Sequence, residues 1–129
     1  MIALLVLWID LFVFGIAGDE TLAAYAPADR YRLTDLNGAP FEAEAMLDIR
    51  TPGQISGTAP CNSYSAAQTA PYPWFAAGPI RATRMACPDL PAEQAYFAAL
   101  AAMTLAEAAG DILILSNTDG GQMVFQALP

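Results

Sequence analysis

The sequence predicts an α+β fold of six to eight short strands, one packed helix over about residues 91–109, and a C-terminal β-hairpin. Three patterns carry that expectation. Phe41, Ala43, Ala45, Leu47 and Ile49 fall on one side of a period of two, and Glu42, Glu44, Asp48 and Arg50 on the other. Only Met46 breaks the alternation, which describes a strand with one buried and one wet face. Tyr96, Phe97, Leu100 and Met103 recur at helical spacing between Pro91, suited to a first turn, and Gly110, a natural stop. Last, the apolar runs Ile112–Leu115 and Met123–Phe125 flank a turn at Asn117–Gly121.

In chain order, residues 1–18 read as an export signal or a short anchor. Met1 to Ala17 is almost wholly apolar but shorter than the ~20 residues a membrane span needs. Asp10 interrupts the run, where a carboxylate costs about 2.5–3.5 kcal/mol on the insertion scale. Small residues place a cleavage after Ala17 or after Ala26. Residues 19–29 read as a small-residue linker, and 30–129 as the folded domain. Tyr31, Leu33 and Thr34–Leu36 form a first strand, and Asn37-Gly38 is a tight turn before the alternating run. Thr51-Pro52-Gly53 turns the chain into a short strand at Gln54–Gly57. Pro71 and Pro73 put residues 68–74 at an edge or in a connection. Trp74, Phe75 and Ile80 return apolar bulk to the core, and Asp89 and Glu93 complement the positive end of the helix dipole.

Composition narrows the chemistry. Thirteen Asp and Glu stand against five Arg, with no Lys and a net charge of −8. Phosphate backbones and anionic lipid surfaces repel such a chain, so no nucleic-acid partner is expected, and a membrane only through an uncleaved N-terminal segment. There is no histidine. A Ser-His-Asp or Cys-His machine cannot be assembled, nor an imidazole zinc site, and two cysteines are too few for a closed one. Glu42 and Glu44 share a face and are the one carboxylate pair to weigh for acid–base work; a solvated outer face explains them better. The expectation is no enzyme, no cofactor and no metal.

The most informative stretch is Gly57-Thr58-Ala59-Pro60-Cys61-Asn62-Ser63-Tyr64, followed by Ile80-Arg81-Ala82-Thr83-Arg84-Met85-Ala86-Cys87. Glu93, Phe97 and Leu100 come downstream, then the hairpin. This order resembles the META domain family of HslJ-like, heat-inducible envelope proteins. The shared pattern places Gly57, Cys61, Asn62 and Tyr64 in one element and Thr83, Met85 and Cys87 in a second. The resemblance implies a small antiparallel, barrel-like sheet with one helix packed on it. It also implies an exported, periplasmic or envelope setting, a link to stress or drug tolerance, and no catalytic activity. No cysteine near Gly18 offers a lipid attachment point.

An even pair of cysteines in an exported chain suggests a Cys61–Cys87 disulfide; two buried free thiols are the alternative. Without a Cys-x-x-Cys, redox catalysis is not expected. Asn62 reads as a satisfier of backbone groups in a turn. Tyr64, Tyr72 and Trp74 either line an apolar mouth or pack in the core. Two functions stand side by side: an accessory module that contacts an unknown envelope protein, and a carrier of a small apolar ligand inside a small barrel. For the first, the strand edge near Pro71 and Pro73 offers a place for strand addition.

Overall fold

The computed structural model describes residues 20–129. Its elements are α1 (Leu22–Tyr25), β1 (Arg30–Leu36), β2 (Ala39–Pro40), β3 (Met46–Asp48), β4 (Gln54–Thr58), β5 (Ser63–Ala67), β6 (Arg81–Ala82), α2 (Leu90–Ala102), β7 (Leu105–Ala109), β8 (Ile112–Ser116) and β9 (Gln122–Ala127). The fold is α+β. Nine antiparallel strands among the described residues make one sheet in the order β6-β5-β4-β3-β1-β9-β8-β7, with β2 paired to β1. The sheet ends at β6 and β7, which do not pair. It is therefore open rather than barrel-like, and has nine strands rather than six to eight.

Asn37 and Gly38 turn β1 into β2 with φ of 51° and 84°, the left-handed pair that a tight two-residue hairpin requires. Beyond them, burial alternates from Phe41 to Arg50 as the pattern demands, but ladder bonds form only over Met46–Asp48. Upstream, Leu33 N donates to Ala45 O outside the ladder. The predicted C-terminal hairpin is β8 and β9, paired from Ile112↔Gln126 to Ser116↔Gln122.

The helix is shorter than predicted. It ends at Ala102, and Leu105–Ala109 is a strand paired in register with β8, from Leu105↔Ser116 to Ala109↔Ile112. The Ala-rich run reads as helix by propensity, but extended Met103 stops it and β8 supplies a partner for the backbone beyond. Tyr96, Leu100 and Met103 enter the core with Tyr31, Leu33, Leu47, Leu113, Leu115 and Phe125.

Two further expectations change. Within the stretch read as a linker, Thr21 caps α1 by accepting from Ala24 N, Leu22 is buried, and Tyr25 stacks on Tyr72 at 4.3 Å. Trp74 does not return to the core: it is 58% exposed, whereas Phe75 is buried. The segment Tyr72–Phe75 instead covers the β7 edge. Ala106 N donates to Pro73 O (2.8 Å), Ala108 N to the Tyr72 hydroxyl (3.0 Å), and Phe75 N to Thr104 O (2.9 Å). The edge that the prolines offered for strand addition is thus filled from within the chain. The export reading of residues 1–18 and the start of the linker lie outside the described residues. Among the described residues, no helix is long and apolar enough to cross a membrane.

Candidate functional site

The seven motif residues come together in two adjoining units. In the first, Gly57 on β4 faces Tyr64 on β5. Gly57 has φ 156°, and a Cβ there would lie 2.0 Å from the Met46 carbonyl oxygen. Glycine lets that carbonyl approach, and the Tyr64 hydroxyl donates to it at 2.8 Å. Tyr64 has one proton, so the hydroxyl–hydroxyl bond of 2.5 Å with Tyr96 has Tyr96 as donor. Burial raises the pKa of both phenols, so they stay neutral donors through the physiological range. Tyr64 also meets Tyr96 and Phe97 edge-on, at 5.6 and 5.4 Å between ring centroids. This unit fastens β3, β4 and β5 to α2.

The second unit is a clamp around Asn62. Cys61 and Cys87 are joined by a disulfide, with Cα atoms 5.6 Å apart, so the free-thiol alternative falls. Beside it the Asn62 amide makes four bonds. Its Oδ1 accepts from Met85 N (2.6 Å) and the Thr83 hydroxyl (2.9 Å). Its Nδ2 donates to Met85 O (3.0 Å) and Glu93 Oε2 (2.7 Å). Met85 N can only donate, and Met85 O and a carboxylate can only accept, so the network fixes the amide's orientation. Glu93 Oε1 accepts from the backbone N of Cys61 (2.9 Å) and of Asn62 (2.8 Å).

Asn62 therefore does more than satisfy a turn: it spans the β4–β5 connection, the loop after β6, and α2. Glu93, read as complementing the positive end of the helix dipole, is 4% exposed, and its role as an anchor is what sequence reasoning missed. The available signal was its position three residues before Tyr96, which puts both on one helix face. Charge-assisted bonds from two successive backbone N–H groups to one carboxylate are strong and directional.

An open depression of about 410 Å³ borders this clamp, between residues 80–86 and α2, with Ile80, Arg84, Met85, Leu90 and Phe97 along it. Met85 is 67% exposed at its lip. Elsewhere, Glu42 and Glu44 are exposed and sit outside any cluster with the motif. Among the described residues, no group of three or more His, Cys, Asp or Glu is placed to hold a metal ion. Tyr72 is half-buried against Tyr25 and Trp74 points outward, so with buried Phe75 these aromatics line no common interior.

The fold is thus an open antiparallel sheet with one main helix, locked by a disulfide and an Asn–Glu clamp between loop and helix. The META domain family model matches residues 22–129, and the chain belongs to that family. The fold is similar to an NMR structure of a protein from Burkholderia xenovorans, with TM-score 0.57 and 22% identity over 84% of this chain and 81% of that one. It is also similar to a second protein's NMR structure, with TM-score 0.55 and 18% identity over 78% of this chain and 90% of that one. No curated protein matches the sequence.

Proposed function

We propose that this META domain is a non-catalytic, exported module of the cell envelope that acts by contact with another protein, in a stress- or tolerance-related accessory role. The observation that carries the reading is the engagement of the motif's polar groups. Both oxygens of Glu93, both ends of the Asn62 amide, the Thr83 hydroxyl and the two sulfurs are bonded within the chain. Groups so engaged are not free to polarise or attack a substrate; their work is to hold one loop rigid against one helix. The disulfide is in keeping with an oxidising compartment outside the cytoplasm.

Native mass spectrometry of the protein recovered from its own cell envelope tests this. The expected mass begins near Asp19, is two hydrogens light, and carries no adduct. A start near Pro27 is disfavoured because it would remove buried Leu22 and the Tyr25 ring stacked on Tyr72. A full-length chain with free thiols would defeat the export reading. A lipid-sized adduct would replace the contact reading with that of a carrier for a small apolar ligand.

A further inference from the structure

We infer that the β6 edge and the adjoining face of α2 form a docking groove for an extended, acidic segment of a partner protein, added to the sheet as a strand. The inference rests on the contact reading above and gives that contact a place and a chemistry.

The two ends of the sheet are treated differently. The β7 end is filled by Tyr72–Phe75. At the β6 end, Thr83 N donates to Ser63 O, which makes Ser63 and Thr83 a hydrogen-bonded pair. Antiparallel ladders alternate, so the next pair, Tyr64↔Ala82, is not hydrogen-bonded, and the N–H and C=O of Ala82 point away from β5. Every residue from Arg81 to Ala86 is exposed. A free strand edge of this kind recruits an extended chain by main-chain bonds, with alternate side chains falling into pockets. The depression beside Ile80, Leu90 and Phe97 is such a pocket.

Charge selects the occupant. The chain carries −8 overall, yet Arg81 and Arg84 flank Ala82, and residues 81–86 contain no acid. Neither arginine has an ion-pair partner among the described residues, where the one salt bridge is Arg50–Asp48. The nearest carboxylate in the groove wall, Glu93, is turned inward onto Cys61 and Asn62. Exposed Asp89 stands at the start of α2. A segment alternating apolar and acidic residues fits: apolar groups enter the depression that Arg84 borders, carboxylates on the other face of the added strand meet Arg81, and an acidic residue at the end of the segment meets Arg84.

The test uses isotope-labelled protein purified from its own envelope and a blocked heptapeptide alternating Glu and Val. Amide shifts are expected to cluster on Ile80–Met85 and Leu90–Phe97. Affinity should fall at least tenfold in the Arg81→Glu/Arg84→Glu double variant, and binding should vanish when the central Val is Pro. Equal shifts from a Lys–Val heptapeptide, or none from the acidic one, would overturn the proposal. Photo-crosslinkers at Ala82 and at Glu107, on opposite ends of the sheet, separate this failure from that of the wider reading. Envelope-protein adducts from Glu107 alone defeat the groove and leave the contact reading standing. Adducts from neither position, with no shifts, defeat both.

Discussion

Replacing Asn62 by Asp keeps the number of non-hydrogen atoms and almost the same shape, yet it should be worse for the fold than Asn62→Ala. The aspartate loses the two donors that reach Met85 O at 3.0 Å and Glu93 Oε2 at 2.7 Å. It also sets a second carboxylate against the first. Two like charges at that distance repel by about 6 kcal/mol at an effective dielectric of ~20, and local relaxation relieves only part of this. A net loss of about 4 kcal/mol is expected at neutral pH. Alanine removes all four bonds but adds no charge. The adjoining depression admits water to the stranded groups, so its loss should be about 2–3 kcal/mol. Against a total of about 5–15 kcal/mol for such a domain, both are large. At about 4 °C per kcal/mol they separate clearly in thermal melts. Urea and thermal unfolding followed by far-ultraviolet circular dichroism give the ranking, with Thr83→Val, expected to lose about 1 kcal/mol, as an intermediate point. An Asp variant as stable as the native protein, or more stable than the Ala variant, would refute the clamp and return Asn62 to the role of satisfying backbone groups in its own turn.

Other substitutions probe the remaining fastenings. Gly57→Ala must push the Met46 carbonyl aside by about 1 Å and should lose more than about 3 kcal/mol, whereas Gly110→Ala, at φ 60° with open space around it, should lose about 1 kcal/mol; equal losses in urea melts would contradict the close approach. Reducing the disulfide, or replacing Cys61 and Cys87 by Ser, releases a loop of 26 residues and should lower stability by about 3.5 kcal/mol; unfolding in the presence and absence of reductant checks it. The buried phenols of Tyr64 and Tyr96 have folded pKa values raised above their unfolded value of about 10, so their contribution is complete below that pH and is lost as pH rises beyond it. Stability should fall by about 2.7 kcal/mol per pH unit above pH ~10, with their phenolate absorbance at 295 nm appearing only as the circular dichroism is lost; complete tyrosine ionisation in an intact fold would exclude it.

What was legible in the sequence was local. The period-two run gave the burial of Phe41 to Ile49, and Asn37-Gly38 gave its hairpin, because both depend on residues within a few positions of one another. Three misses have non-local causes. Leu105–Ala109 has the composition of a helix and is a strand because β8 lies beside it. Trp74 has the character of a core residue and is exposed because its backbone is used to cover β7. Glu93 was legible only as a complement to the helix dipole because its partners, Cys61 and Asn62, lie 32 and 31 residues upstream. The motif's spacing located Asn62 and the cysteines, but not the carboxylate that joins them to the helix.

The strand order has a consequence for how the molecule comes into being. β1 lies mid-sheet between β3 and β9, and its pairing with β9 joins Tyr31 to Ala127 and Leu36 to Met123. The central seam thus closes across nearly the whole domain, an arrangement of high contact order that makes folding slow. A ribosome must release the last strand before the middle of the sheet can form. Until then the growing chain stays open to whatever machinery handles unfolded polypeptide, and a deletion of only Gln122–Pro129 removes the whole of β9 and with it one flank of the central strand.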